Sequence, residues 1–172
     1  EEELFSVRDN PHGRLILHVV PTRPSENRTG QPRHHPQRRA GGRLFIRSLR
    51  LLARHPAATV AFATAESAAG QVVEGHRLVR ADDASFARAE VVFSCLPHGV
   101  SSRYVHQARA AGCRAVDLSA DFRLSPEAVY GLTEFTRPRL PGAELVANPG
   151  CYPTAALLAL LAPWALPRAA SA

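Results

Sequence analysis

The feature that most constrains the fold is a regular alternation of short apolar runs with segments of helical pattern. Apolar runs at 59–63 and 90–96 are the length of strands, and the second, stopped by Pro97, suits a buried parallel strand. An amphipathic helix is predicted from Arg43 to His55, and a second from about 100 to 111, closed by a glycine. This alternation, with short connections, predicts an α/β fold built on a doubly wound parallel sheet.

Two further strands, at 114–118 and 144–147, and a helix at 155–162 continue the pattern. In such sheets, ligands bind beyond the carboxyl ends of the strands. The segments 97–99 and 148–151 follow predicted strands, so we expect the functional site there.

Residues 1–40 differ from the remainder in being rich in proline and arginine. One apolar stretch, 15–20, could form a strand, and the rest of 1–40 is predicted to be a disordered or irregular arm. The net charge of +6 belongs to residues 1–55, which hold 11 Arg and 5 acids, whereas the later residues hold 10 of each. A nucleic-acid binder using this basic arm is an alternative. We do not expect it, because the arm lacks interleaved aromatic residues.

Other classes are excluded by composition. No apolar run approaches the roughly 18 residues of a membrane span, and no signal peptide opens the chain, so no membrane association and a cytoplasmic location are expected. Three cysteines form no disulfide framework. No metal site is expected, because Cys95, His98 and the other two thiols lack a paired C-x-x-C spacing.

Cys151 is the strongest candidate for chemistry. A lone cysteine is most often a small buried apolar residue. However, Cys151 follows a strand and a Pro-Gly turn and precedes a predicted helix, whose N-terminal amides would stabilise a thiolate. A thiolate at the carboxyl edge of a parallel sheet is well placed to attack a bound electrophile.

Three segments carry a family resemblance: VVFSCLPHGVS at 91–101, VDLSADFRL at 116–124 and ANPGCYPTA at 147–155. In this order, with GLTE at 131–134, they resemble signatures of the N-acetyl-γ-glutamyl-phosphate reductases. The match runs from about residue 41 to 161. The resemblance implies a Rossmann-like NADP-binding domain over 41–172, truncated before a second, substrate domain, in an enzyme of arginine biosynthesis that is homo-oligomeric at full length.

The resemblance also implies a mechanism. Cys151 would attack a small-molecule acyl phosphate, leaving a thioester that NADPH reduces to a semialdehyde. The predicted sites comprise the catalytic thiol, a cofactor site and a substrate site. They are catalytic Cys151; cofactor-binding Gly41, Gly42, Ser67, Pro97, His98 and Gly99; and substrate-binding Asn148 and Gly150. His98 could equally cap the helix after Gly99. Asp117, Ser119 and Asp121 are interpreted as structural.

The sequence departs from the family pattern in three places. The arm replaces the first strand and glycine-rich turn, leaving only Gly41 and Gly42, ahead of the helix, to represent that loop. The connection from 124 to 131 is shortened, and the chain stops after the thiol-bearing helix, before the family's catalytic His. We therefore expect no turnover by this chain alone. A related reductase acting on aminoadipyl or aspartyl phosphate, and a non-catalytic remnant, are the alternatives.

Overall fold

A computed structural model of the chain describes residues 14–18, 36–65, 68–81, 83 and 85–165. Its centre is one eight-stranded sheet with the spatial order β3-β4-β2-β1-β5-β6-β8-β7. All neighbouring strands are parallel except the β3–β4 pair. The strands are β1 Arg14–His18, β2 Thr59–Thr64, β3 Val72–Val73, β4 His76–Val79, β5 Val91–Ser94, β6 Arg114–Asp117, β7 Val129–Tyr130 and β8 Leu145–Ala147. The predicted α/β class is confirmed.

The N-terminal segment supplies an inner strand of this sheet. β1 pairs in parallel with β2 on one side and with β5 on the other. The strand expected within 15–20 is thus confirmed, although it begins at Arg14 and ends at His18. The expectation that the arm replaces the family's first strand is wrong, because the apolar residues of β1 occupy that place.

The first helix, α1, extends from Pro36 to Ala53. It therefore begins seven residues before the predicted start at Arg43, and it runs across the domain boundary predicted after residue 40. Proline is well suited to the first turn of a helix, where its missing N–H removes no helix hydrogen bond. Of the apolar residues predicted to form one face of this helix, Phe45 and Leu49 are buried in the core, whereas Leu44 and Leu51 are exposed.

The remaining helices are α2, Ser101–Ala110, α3, Thr133–Thr136, and α4, Cys151–Ala165. Gly112 has a φ of 85° beyond α2, as expected of a glycine that closes a helix. α4 begins four residues earlier than the predicted 155, because Pro153 is tolerated in a first turn. None of the helices in the described part of the chain is long and apolar enough to cross a membrane.

The parallel strands place their carboxyl ends at one edge of the sheet. β5, β6 and β8 end there at Ser94, Asp117 and Ala147, in register with one another. β1 lies between the strand that follows it in sequence on one side and β5 on the other, so the strand order reverses at this point. A crevice at such a reversal is where doubly wound sheets bind ligands.

Gly131 allows β7 and β8 to pack closely. A Cβ at Gly131 would lie 2.9 Å from Cγ1 of Val146 and 3.3 Å from the backbone oxygen of Ala147. Val146 is buried, so its methyl group has little room to move.

We predict that Gly131→Ala lowers the free energy of unfolding by about 1–3 kcal/mol, the usual cost of overpacking a buried site. Chemical denaturation measures this change. Gly142→Ala is not a clean control, because Gly142 has a φ of 76°. Gly42→Ala is a better one, since its Cβ would meet nothing within 4 Å. An unfolding free energy for Gly131→Ala equal to that of the parent chain would contradict the close packing.

Candidate active site

Cys151 is the first residue of α4 and is exposed to solvent. The turn 148–150 carries the chain from β8 to this helix. The carbonyl oxygen of Gly150 accepts hydrogen bonds from the amide and the hydroxyl of Thr154, both at 2.9 Å, which fixes the first helical turn. The thiol therefore stands at a helix N-terminus, where the unpaired amides of the first turn favour an anion.

Arg123 lies beside the thiol-bearing turn, and no feature of the sequence alone singles it out. Its Nε donates to the carbonyl oxygen of Asn148 at 3.0 Å. Its Nη1 lies only 2.8 Å from where a Cβ on Gly150 would stand, so the guanidinium occupies the space that a side chain there would need. No ion pair engages Arg123 among the described residues. A cation and a nucleophile thus flank the same turn.

The predicted substrate residues form this turn. The backbone amide of Asn148 donates to the carbonyl oxygen of Asp117 at 2.8 Å, which ties the turn to the end of β6. The Asn148 side chain donates to the carbonyl oxygen of Pro149 at 3.0 Å. Asn148 therefore shapes the turn through its backbone and its side chain, and Gly150 leaves space for Arg123. Their contact with substrate stays a prediction.

The loop after β5 is held by Asp121. The amide of Gly99 donates to Oδ1 of Asp121 at 2.7 Å, and the amide of Ser102 donates to Oδ2 at 3.0 Å. Gly99 has a φ of 77°, a conformation that suits glycine. The carboxylate thereby satisfies unpaired amides at the start of α2 and fixes the adjacent loop.

His98 is exposed, and its Nδ1 accepts a hydrogen bond from the amide of Ala120 at 2.7 Å. Its ring therefore binds the loop after β6. The alternative that His98 caps the helix after Gly99 is wrong, because Asp121 holds those amides. The ring still stands at the carboxyl edge, beyond the strand next to β1.

A buried polar network lies beneath these loops. Both oxygens of Asp117 accept hydrogen bonds from Ser119, one from the amide at 3.1 Å and one from the hydroxyl at 2.7 Å. The Ser101 hydroxyl also donates to Asp117 and lies 2.6 Å from the Ser94 hydroxyl. All four side chains are buried. Asp117 and Ser119 thus have the structural role expected of them.

The other two thiols lie in apolar surroundings. Burial raises the pKa of Cys95 to about 12, and the nearby Asp117 carboxylate acts in the same direction. Burial also raises the pKa of Cys113, whose thiol lies 3.2 Å from the carbonyl oxygen of Phe86. Both thiols are therefore kept protonated and inaccessible, whereas Cys151 is exposed.

Among the remaining predicted cofactor residues, Gly41 and Gly42 are placed differently from the expectation. Gly41 and Gly42 lie inside α1 and not ahead of it. Within an α-helix, their amides donate to carbonyls four residues earlier, so they do not belong to a loop ahead of the helix, and their contact with a cofactor stays a prediction. Ser67 lies outside the described residues. Pro97, His98 and Gly99 lie at the predicted edge. No cluster able to hold a metal ion occurs in the part of the chain that the structure describes.

A parallel sheet whose strand order reverses at one strand is the arrangement of dinucleotide-binding domains, and this sheet carries an exposed thiol at its carboxyl edge. The chain belongs to the semialdehyde dehydrogenases: residues 40–143 match the family described as semialdehyde dehydrogenase, NAD binding domain. In fold, it is similar to aspartate semialdehyde dehydrogenase II from Vibrio cholerae, with a TM-score of 0.60 and 17% identity over 84% of this chain and 40% of that one.

In sequence, the chain is similar to enzymes named N-acetyl-gamma-glutamyl-phosphate reductase. The relative from Campylobacter curvus is 43% identical over 139 residues, covering 66% of this chain and 41% of the relative. The relative from Thermus thermophilus is 44% identical over 137 residues, covering 65% and 40%. The chain therefore spans about two-fifths of the length of these relatives. The alignment with the Campylobacter enzyme is 139 positions long but includes only 66% of the 172 residues of this chain. The Campylobacter enzyme therefore has positions with no counterpart here.

We predict that iodoacetamide alkylates Cys151 much faster than Cys95 or Cys113 in the native chain at pH 7.5, because only Cys151 is exposed and the other thiols are held protonated. Peptide mass spectrometry after timed quenching measures the three rates. Denaturation before alkylation provides the control, since it should bring the rates together. Equal rates in the native chain would contradict the described burial.

Proposed function

We propose that this chain is the cofactor-binding and thiol-bearing part of an NADPH-dependent N-acetyl-γ-glutamyl-phosphate reductase of arginine biosynthesis. The observation that carries the proposal is the exposed Cys151 at the start of α4, flanked by the Arg123 guanidinium over Gly150. The choice of glutamyl substrate rests on the 43–44% identity to enzymes of that name. An aspartyl phosphate is less well supported, since the aspartate enzyme of Vibrio cholerae resembles this chain in fold alone.

Cys151 acts as the nucleophile. Its thiolate sulfur bonds to the carbonyl carbon of the acyl phosphate, and the bond from that carbon to the phosphate oxygen breaks. Phosphate leaves with the electron pair, and a thioester remains on Cys151. The first-turn amides of Cys151 and Tyr152 have no intrahelical acceptor, so they can donate to the oxyanion that develops on the carbonyl oxygen.

Arg123 binds the phosphate group. The group carries negative charge before and after the carbon–oxygen bond breaks, and a planar guanidinium suits phosphate oxygens. The Nε bond to Asn148 orients the guanidinium while its Nη atoms remain close to the turn that leads to the thiol. Arg123 therefore balances charge where the leaving group departs.

The loop after β5, at the carboxyl edge of the sheet, is placed to contact the nicotinamide part of a dinucleotide. The loop 97–99 lies beyond the strand next to β1 and is fixed by Asp121. When bound, the nicotinamide would supply the hydride for reduction of the thioester carbonyl, and release of the semialdehyde would return the Cys151 sulfur as a thiolate. Pro97, His98 and Gly99 would bind the cofactor near its nicotinamide ring. The choice of NADP over NAD follows the resemblance to the reductases.

We predict that N-acetyl-γ-glutamyl phosphate, without any nicotinamide, acylates Cys151 and releases one phosphate per thioester formed. Intact-mass measurement and a phosphate assay follow the two products. Cys151→Ala should abolish the thioester and leave only the phosphate released by spontaneous hydrolysis, whereas the matched variant Cys113→Ala should retain both products, because that thiol lies in the core.

β-Aspartyl phosphate tests the substrate class in the same assay and should acylate Cys151 more slowly. An acyl group distributed over other residues, or a Cys151 that is alkylated readily but never acylated, would contradict the proposed function.

A further inference from the structure

We propose that Asp121 is a positioning residue that, together with His98, holds the loop 119–123 so that Arg123 stands over Gly150 beside Cys151. This inference rests on the proposed function, in which Arg123 binds the phosphate group of the acyl phosphate that Cys151 attacks. It is carried by a set of hydrogen bonds in which side chains of two loops, one after β5 and one after β6, hold each other's backbone amides.

The first half of this set runs from Asp121 to the loop after β5. Its two carboxylate oxygens each accept one backbone amide, from Gly99 at 2.7 Å and from Ser102 at 3.0 Å. A carboxylate that accepts two amides at a helix N-terminus is strongly anchored, since it meets both unpaired donors and the helix dipole. Asp121 therefore joins its own loop to the start of α2.

The second half runs in the reverse direction. Nδ1 of His98, in the loop after β5, accepts the amide of Ala120 at 2.7 Å. The amide of Asp121 itself donates to the hydroxyl of Ser119 at 3.0 Å. Side chains of the site thus bond two successive amides ahead of Arg123, and these bonds restrict the backbone from which Arg123 projects.

Arg123 follows directly. Its amide donates to the carbonyl oxygen of Ala120 at 3.3 Å, which continues the turn, and its Nε donates to Asn148 at 3.0 Å. Phe122 is buried in the core and anchors the other side of the same turn. Because Arg123 is part-buried and reaches the thiol-bearing turn through a single Nε bond, a shift of its backbone would move the guanidinium away from Gly150.

The test compares two alkylating reagents at Cys151: iodoacetate, which is an anion, and iodoacetamide, which is neutral. The rate with iodoacetate divided by the rate with iodoacetamide reports a cation near the thiol. Changes in thiolate fraction or exposure affect both reagents and cancel in this ratio. Arg123→Gln should lower this ratio roughly fivefold, the size expected for one cation within a few ångströms in a water-exposed site. An unchanged ratio in Arg123→Gln would overturn the role of Arg123 in the proposed function.

Asp121→Asn tests the positioning role. Removal of a negative charge would by itself attract iodoacetate and raise the ratio, whereas loss of positioning lowers it toward the Arg123→Gln value. We expect the ratio to fall. Glu134→Gln, which removes an exposed carboxylate on α3, is the matched control and should leave the ratio unchanged. A ratio that rises or stays constant in Asp121→Asn, while Arg123→Gln lowers it, overturns the inference and leaves the proposed function intact.

His98→Ala provides a second variant if Asp121→Asn fails to fold, which thermal unfolding will show. His98 is exposed, so its truncation removes the acceptor for Ala120 without opening the core. At pH 8, it should lower the ratio in the same direction as Asp121→Asn. An unchanged ratio in His98→Ala would show that the hydrogen bond from Ala120 to His98 does not position Arg123, and it would overturn the inference.

Discussion

The site depends on the buried carboxylate of Asp117 at the end of β6. A buried charge destabilises a protein unless hydrogen bonds compensate for its lost hydration. Here the compensation comes from the Ser101 hydroxyl at the start of α2 and from the amide and hydroxyl of Ser119. The backbone oxygen of the same residue accepts the amide of Asn148. One residue thereby joins the ends of β6 and β8 to α2, and the two functional loops are built on this junction.

The three thiols show how the fold, and not the residue type, determines reactivity. Cys95 and Cys113 lie in apolar surroundings that disfavour a thiolate, and burial raises the pKa of both. Cys151 is exposed at the first position of a 15-residue helix, beside a guanidinium that has no ion pair among the described residues. The same edge of the sheet thus carries an exposed thiol and a cation. The parallel strands bring them together from segments nearly thirty residues apart.

Most of the sheet was predictable, because its strands are short apolar runs that alternate with helical patterns. The place of Cys151 followed from the Pro-Gly turn before it. The start of α1 did not, since glycines at 41–42 indicate a loop by propensity, whereas the structure keeps them within the helix. β1 was recognised as a possible strand, but its place between β2 and β5 depends on pairing between distant segments.

Arg123 and Asp121 could not be assigned from spacing alone. Both lie in one of the segments that carry the family resemblance, but their partners, Asn148 and Gly99, are more than twenty residues away. The placing of a side chain over Gly150 is a property of folded loops, and no local pattern reports it. A Cβ at position 150 would lie 2.8 Å from Nη1 of Arg123, so glycine there leaves room for the guanidinium where it stands.

The thiol and the cofactor are proposed to share the crevice at the carboxyl edge of the sheet. The most direct test is the alkylation rate of Cys151 across a titration with NADP⁺, repeated with NAD⁺, with Cys113 as the internal reference. We expect a saturable change in the Cys151 rate, at lower concentrations of NADP⁺ than of NAD⁺, and none at Cys113. A Cys151 rate indifferent to both nucleotides at millimolar concentration would contradict it.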